Sequence, residues 1–129
     1  MRHRLGLFVS ILFASATTLG LVACEGAPPP QDQNAPIGIQ NSQLSIVIEN
    51  KVGMPLTDVD VAIVPVGGAT EFKKFVGRME NAEKRDLSLG GFYGRDGTTF
   101  NLRVVRPKAV RVTGKDLNAK PYNVEARWQ

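Results

Sequence analysis

The chain has 129 residues, of which 43% are hydrophobic, and a formal net charge of +4 from 16 basic and 12 acidic side chains. This length suits one domain with a hydrophobic core and is short for two. The only histidine (His3) and the only cysteine (Cys24) lie within the first 24 residues. The rest of the chain therefore lacks the side chains for Ser-His-Asp or Cys-His catalysis and for zinc sites of imidazole and thiolate, and we expect neither an enzyme nor a cofactor.

The amino terminus has the three parts of a secretory signal peptide. Arg2 and Arg4 form a basic head, and no charged residue occurs from 5 to 23. The run ends in Leu21-Val22-Ala23-Cys24. This stretch resembles the lipobox of bacterial lipoproteins, in which the cysteine is lipidated and becomes the first residue of the mature protein. The resemblance covers residues 1–24 and implies that residues 1–23 are removed and that Cys24 anchors the protein to a membrane of the cell envelope.

Two other interpretations of this segment stay open. Nineteen uncharged residues at about 1.5 Å each nearly span the ~30 Å hydrocarbon core, so the run could be an uncleaved membrane helix. An ordinary secretory cleavage would instead leave Cys24 incidental, although a single unpaired thiol is uncommon in exported proteins. If the source is Gram-negative, Glu25 in place of the usual Asp retention signal favours the outer membrane, with the domain facing the periplasm.

Residues 24–42 are expected to form the lipidated cysteine and a disordered linker. Residues 25–42 contain four prolines and polar amides but almost no large apolar side chains, so packing cannot offset the entropy of ordering them. Pro28-Pro29-Pro30 favours local polyproline II and a semi-rigid spacer. We interpret this segment as a passive tether.

Residues 43–129 are expected to form one β-domain. Apolar and polar residues alternate with period two, as in half-buried strands, and turn signals separate the alternating segments. These segments are 44–50, 58–65, 99–105, 109–114 and 122–128. In the ambiguous stretch 79–89, we favour a hairpin loop at 81–83 followed by a strand at 85–89 over a helical turn.

About seven short strands and no clear helix predict an all-β fold, a small two-sheet sandwich. The stretch LSIVIENKVGMPLTDVDVAIVP resembles the first strand pair of bacterial immunoglobulin-like or fibronectin-III-like domains. The cysteine pair of antibody domains is absent. The resemblance implies an architecture that hosts many functions, so the function has to be argued from sites.

Two features could carry binding. The glycine-rich loop 89–100 holds Tyr93 and Arg95, a composition typical of interface hot spots, whereas Phe92 is expected to cap the core. From residue 103 onward, the sequence contains seven basic residues and only two acidic ones. Four of them form a basic cluster around Pro107: Arg103, Arg106, Lys108 and Arg111. This cluster could contact anionic lipid, anionic glycan or an acidic protein, or could simply be a solvated strand face.

We therefore expect a lipid-anchored, non-catalytic module that binds an envelope protein and no nucleic acid. The alternative is a ligand- or glycan-binding domain that uses the 89–100 loop with the help of calcium. The candidate calcium ligands are Asp58, Asp60 and Asp96, because calcium prefers carboxylate oxygens. Without calcium, Asp58 and Asp60 would be solvent-facing charges that discourage sheet-edge pairing.

Overall fold

The computed structural model describes residues 34–68 and 70–129. This part of the chain contains seven β-strands and one short 3₁₀ turn, Leu89–Gly91. In chain order the strands are β1 Ile37–Asn41, β2 Ser45–Asn50, β3 Leu56–Pro65, β4 Phe72–Met79, β5 Lys84–Ser88, β6 Pro107–Asp116 and β7 Pro121–Arg127. The expected all-β class is confirmed for the described residues.

The strands form two antiparallel sheets. The smaller sheet has the order β1-β2-β5, and the larger has the order β4-β3-β6-β7. Buried residues from both sheets form one hydrophobic cluster between them. In an immunoglobulin constant domain the fourth strand belongs to the sheet of the first strand, whereas here β4 pairs with β3. The expected small two-sheet sandwich of about seven strands is confirmed for the described residues.

The core lies between the inner faces of the two sheets. Every second residue of a strand points inward, because side chains alternate between the faces of a sheet. The inward residues of the central strands are fully buried: Ile46, Ile48, Val59, Val61, Ile63, Val110 and Val112. Full burial of one such side chain contributes roughly 1.5–3 kcal/mol. These strands are the ones whose alternation the sequence displays most regularly.

Aromatic rings close one end of the core. The Phe100 ring centroid lies 5.3 Å from that of Phe72, in an edge-on arrangement, and 6.2 Å from that of Trp128. Phe72 begins β4, and Trp128 directly follows β7. The Phe100 side chain therefore bridges the two edges of the larger sheet at this end of the sandwich.

Asn50 is a buried polar residue that joins two turns. Its Nδ2 donates hydrogen bonds to the carbonyl oxygens of Met54 (2.9 Å) and Glu80 (3.0 Å). Its Oδ1 accepts one from the N–H of Val52 at 3.0 Å. The β2–β3 turn is thereby tied to the β4–β5 turn, and both ends of the buried amide are satisfied.

The folded domain begins earlier than the sequence suggested. The prediction that the linker extends to residue 42 is wrong from residue 37 onward, because β1 pairs with β2 and buries Ile37 and Ile39. Five residues between proline-rich and polar sequence show too little alternation to reveal a strand that tertiary pairing stabilises. The predicted signal segment, Cys24 and the linker through residue 33 lie outside the described residues.

The strand predicted at 99–105 is also wrong. The backbone N–H groups of Val104 and Val105 both donate to the Asn101 carbonyl, at 3.0 and 2.9 Å, and Asn101 Oδ1 accepts from the Arg103 N–H at 2.9 Å. The chain therefore turns here and leaves Val104 82% exposed. The Asn101 side chain offers the backbone a local alternative to sheet pairing.

The hairpin loop predicted at 81–83 is confirmed, since the chain turns at 81–82 and β5 begins at Lys84. β4, which precedes this loop, has no counterpart among the predicted strands. Its sequence FKKFVGRM sets two lysines side by side and hides the alternation. Gly77 has φ +83°, and the β3–β4 register shifts beside it, so β4 contains a β-bulge.

Candidate functional site

The 89–100 loop is a small hairpin that extends the larger sheet beyond β4. Phe92 is fully buried, as expected. The Tyr93 N–H donates to the Lys73 carbonyl at 3.0 Å, and the Lys73 N–H donates to the Tyr93 carbonyl at 2.9 Å. Tyr93 is bridged on its other side to Thr99. Because Phe92 points inward, Tyr93 points to the opposite, outer face of the sheet.

The tip of this hairpin has a defined conformation despite its glycines. The Gly94 N–H donates to the Thr98 carbonyl at 2.8 Å, and the Gly97 N–H donates to the Gly94 carbonyl at 3.0 Å. Gly97 has φ +86°, which favours glycine. Asp96 Oδ1 accepts from the Thr98 N–H at 3.0 Å, and this backbone hydrogen bond lowers the pKa of Asp96. Tyr93 and Arg95 are thus presented by an ordered turn.

A continuous row of side chains crosses the outer face of the larger sheet. Tyr93 lies opposite Lys73, and Lys73 lies opposite Ala62. Ala62 lies opposite Arg111, and Arg111 lies opposite Glu125. Directly opposed residues of antiparallel strands share a face, so we call these five residues the Tyr93 row.

An ion pair fixes the arginine of the Tyr93 row. Arg111 Nη2 donates to Oε1 and Oε2 of Glu71 at 2.6 and 2.5 Å. Both side chains are half-buried. The hydrogen bond to Glu71 raises the pKa of Arg111. The pair holds the segment before β4 against the sheet and neutralises the Glu71 charge.

An open cleft of about 520 Å³ lies beside the Tyr93 row. Its lining residues are Thr70, Glu71, Lys73, Tyr93, Gly94 and Arg95. The ion pairs of the described residues join Arg78 to Glu80, Arg85 to Glu83 and Arg111 to Glu71. In this part of the chain Lys73 and Arg95 thus have no ion-pair partner, and the cleft combines positive charge with an aromatic ring.

Phe75 adds a second exposed aromatic ring to the same face. It lies two residues after Lys73 in β4, so both side chains point outward. Phe75 is 70% exposed and Tyr93 is 52% exposed. Because Tyr93 lies opposite Lys73, Phe75 and Tyr93 are diagonal neighbours, and the Cα atoms of such neighbours are about 7–8 Å apart. Sequence reasoning missed Phe75, although its spacing of three from the buried Phe72 already indicates that the two rings cannot share one face of a strand.

The residues of the predicted basic cluster lie in different local structures. Arg103 lies in the exposed turn that follows Asn101. The Arg106 carbonyl accepts from the Val66 N–H at 2.9 Å, beside the β3–β4 turn. Lys108 is exposed near the start of β6. Of the four predicted basic residues, only Arg111 belongs to the Tyr93 row.

The candidate calcium ligands lie in different local structures. Asp58 sits in an irregularity of β3 with φ +52°, and Asp60 is half-buried opposite Phe75. Asp96 lies in the tip of the 89–100 hairpin, where one carboxylate oxygen already accepts a backbone hydrogen bond. Among the described residues, no three or more His, Cys, Asp or Glu side chains are grouped so that they could hold a metal ion.

No protein-family model, curated protein or solved structure matches this chain. No helix within residues 34–68 and 70–129 has the length and apolar character needed to cross a membrane. The candidate site is accordingly defined by the geometry and chemistry of its own side chains.

Proposed function

We propose that this chain is a lipid-anchored protein of the cell envelope and that its β-sandwich is a non-catalytic module that binds another envelope protein. The lipobox-like stretch ending in Cys24 supports the anchor, and in a Gram-negative source Glu25 favours the outer membrane, with the domain facing the periplasm. Of the two domain types that the sequence resembles, the pairing of β4 with β3 favours the fibronectin-III-like one over the immunoglobulin constant type.

The observation that carries the proposal is the pair of exposed rings on one rigid face. Phe75 and Tyr93 are 70% and 52% exposed and are diagonal neighbours on the outer face of the larger sheet. An aromatic side chain covers 150–250 Å², and burial contributes about 25 cal/mol per Å², so covering the exposed parts of both rings is worth several kcal/mol. Two large rings beside arginines match the composition of binding hot spots.

Little ordering is needed before this face can bind. The Tyr93 backbone is held by two hydrogen bonds to Lys73, and Arg111 is held by Glu71. Binding to a preorganised surface avoids much of the entropy cost of immobilising side chains and loops. Lys73 and Arg95 have no ion-pair partner among the described residues, and their charges favour a partner whose contact surface carries acidic groups around an apolar centre.

Cross-linking in intact cells tests the proposal, with an affinity tag after Gln129 and mass spectrometry of the captured material. We expect one dominant protein partner, whose capture is lost in Tyr93→Ala and Phe75→Ala. Leu117→Ala provides the matched control, because Leu117 is 59% exposed but lies in the β6–β7 turn. Equal capture by all three variants and by the wild-type chain would contradict the proposed surface.

The second candidate function is binding of a glycan or another small ligand in the cleft beside Tyr93. The specific observation in its favour is that this cleft is lined by an aromatic ring and by two cations that have no ion-pair partner in residues 34–68 and 70–129. Cell-wall fragments, with and without calcium, should then raise the melting temperature of the wild-type chain but not of Tyr93→Ala. Indifference to both, together with a captured protein, supports the leading proposal.

The anchor has its own test. Cys24→Ala should release the chain from membranes or cause the unprocessed precursor to accumulate, because the thiol that receives the lipid is missing. Detergent-phase partitioning and the mass of the mature chain measure this directly. Unchanged partitioning without precursor would show that Cys24 is not lipidated.

A further inference from the structure

β7 forms an edge of the larger sheet. Within the described residues it pairs with β6 alone, and its register with β6 is uninterrupted from Pro121 to Arg127. An uncovered edge strand presents a row of free N–H and C=O groups to which another strand can add.

The hydrogen bonds at the two ends of β7 identify which backbone groups are free. The Trp128 N–H donates to the Lys108 carbonyl, and the Asp116 N–H donates to the Lys120 carbonyl, both at 3.0 Å. Hydrogen-bonded and non-hydrogen-bonded pairs alternate in an antiparallel ladder, so the even-numbered residues of β7 bond to β6. The N–H and C=O groups of Asn123, Glu125 and Arg127 therefore point away from the sheet.

The side chains of this edge are self-complementary in charge. Glu125 and Arg127 lie two residues apart on the outer face. In an antiparallel pair of two β7 strands centred on Ala126, each Glu125 lies opposite Arg127 of the second copy. The register centred on Glu125 would instead oppose two carboxylates, which is unfavourable.

The inner face of β7 also has apolar surface left to cover. Val124 and Ala126 are only half-buried, whereas the inner residues Val110 and Val112 of β6 are fully buried. The three-stranded sheet thus covers β6 more completely than β7. Pairing centred on Ala126 brings Val124 beside Trp128 of the second copy, where both lose exposed apolar area.

We propose that β7 pairs with β7 of a second copy of this chain, antiparallel and centred on Ala126. The two larger sheets then form one continuous eight-stranded sheet. This interface lies on the edge opposite the hairpin that carries Tyr93. It includes Glu125, the last residue of the Tyr93 row, but does not involve Phe75 or Tyr93.

Cysteine cross-linking of the full-length chain tests this pairing. Ala126 would face Ala126 of the second copy in a non-hydrogen-bonded pair with Cα atoms about 4.5 Å apart, within disulfide range. Ala126→Cys should therefore form a disulfide-linked dimer on mild oxidation. Asn123→Cys is the matched control, because the two copies of residue 123 would lie about 20 Å apart. The wild-type chain, whose only cysteine is Cys24, sets the background.

Charge reversal then tests the register in the Ala126→Cys chain. Glu125→Arg or Arg127→Glu alone should lower the dimer yield at least several-fold, and the double reversal should restore it, with unchanged circular dichroism in every variant. Absence of dimer above background, equal yields from the two cysteine positions, or yields insensitive to charge reversal would each overturn the proposal.

Discussion

The two edges of the larger sheet are built in opposite ways. At the β4 edge, Tyr93 pairs with Lys73, and Arg85 donates to the carbonyls of Val76 and Arg78 at 3.4 Å each. A bulge at Gly77 interrupts the strand as well. At the β7 edge the strand is regular, and no described element covers it. Such bulges and covers are the devices by which proteins prevent unwanted strand pairing.

This comparison of the two edges shows that the hairpin covering the β4 edge also forms part of the candidate site. The hairpin that protects the edge carries Tyr93 onto the outer face, next to Lys73 and Phe75. The β4 side therefore offers side chains for recognition, whereas the β7 side offers backbone groups for strand addition.

The largest expected effect comes from removing the inward anchor of the hairpin. Phe92→Ala should lower the free energy of unfolding by about 3–5 kcal/mol, because it empties a fully buried aromatic site. It should also uncover the β4 edge, since Tyr93 follows directly. Denaturant unfolding measures the first effect, and amide exchange at Lys73 measures the second. A loss below about 1 kcal/mol would show that Phe92 does not hold the hairpin.

The next largest effect is expected at Asn50, which links the β2–β3 turn to the β4–β5 turn. Asn50→Ala should cost about 2–3 kcal/mol, because the carbonyls of Met54 and Glu80 lose their buried donor. Asn101→Ala is the control, since this asparagine caps an exposed turn. Equal losses in the two variants, measured by denaturant unfolding, would contradict the role of Asn50.

The β7 side has a pH-dependent contact in the β6–β7 turn. Burial raises the pKa of Asp116, but hydrogen bonds from the N–H groups of Lys120 and Asn118 and from the Tyr122 hydroxyl outweigh it and lower the pKa below 3.8. A lowered folded-state pKa stabilises the fold above the unfolded pKa, and this stability is lost as the pH falls through the folded value.

The melting temperature of Asp116→Asn should therefore lie roughly 5 °C below that of the wild type at pH 7, with the difference shrinking below about pH 4. Melting curves from pH 7 to pH 2 check this. Tyr122→Phe, which removes only the phenol contact, should show a smaller difference at neutral pH. A gap that stays constant down to pH 2 would refute the linkage to Asp116.

The smallest expected effect concerns the ion pair of the Tyr93 row. Glu71→Gln should cost at most about 1 kcal/mol, because both partners are half-exposed and screened by solvent. High salt should reduce the difference from the wild type further. A loss above about 2 kcal/mol would show that the pair holds the sandwich together rather than merely orienting Arg111.

The sequence revealed the strands whose alternation is local and regular. β2, β3, β6 and β7 were predicted because apolar residues recur at every second position. β1 was missed because five residues show too little alternation, and β4 because its adjacent lysines hide the alternation. The false strand at 99–105 arose because alternation alone does not reveal that the Asn101 side chain accepts a hydrogen bond from the Arg103 N–H.

The residues of the candidate site likewise divide into those that the sequence predicted and those that it did not. The exposure of Tyr93 and the burial of Phe92 followed from one glycine-rich loop and were predicted correctly. Lys73, Phe75 and Glu71 were missed because they reach Tyr93 and Arg111 only through the register of an unpredicted strand. Arg103 lies in the turn at Asn101 rather than in the strand predicted for it.

The most direct test of the proposed surface is a photo-cross-linking side chain placed at Tyr93 in intact cells. We expect one dominant adduct with a different envelope protein, formed equally from position 75. The same group at Leu117, which is similarly exposed at 59%, should give no such adduct. Absence of an adduct from positions 93 and 75, or the same adduct from position 117, would contradict the account.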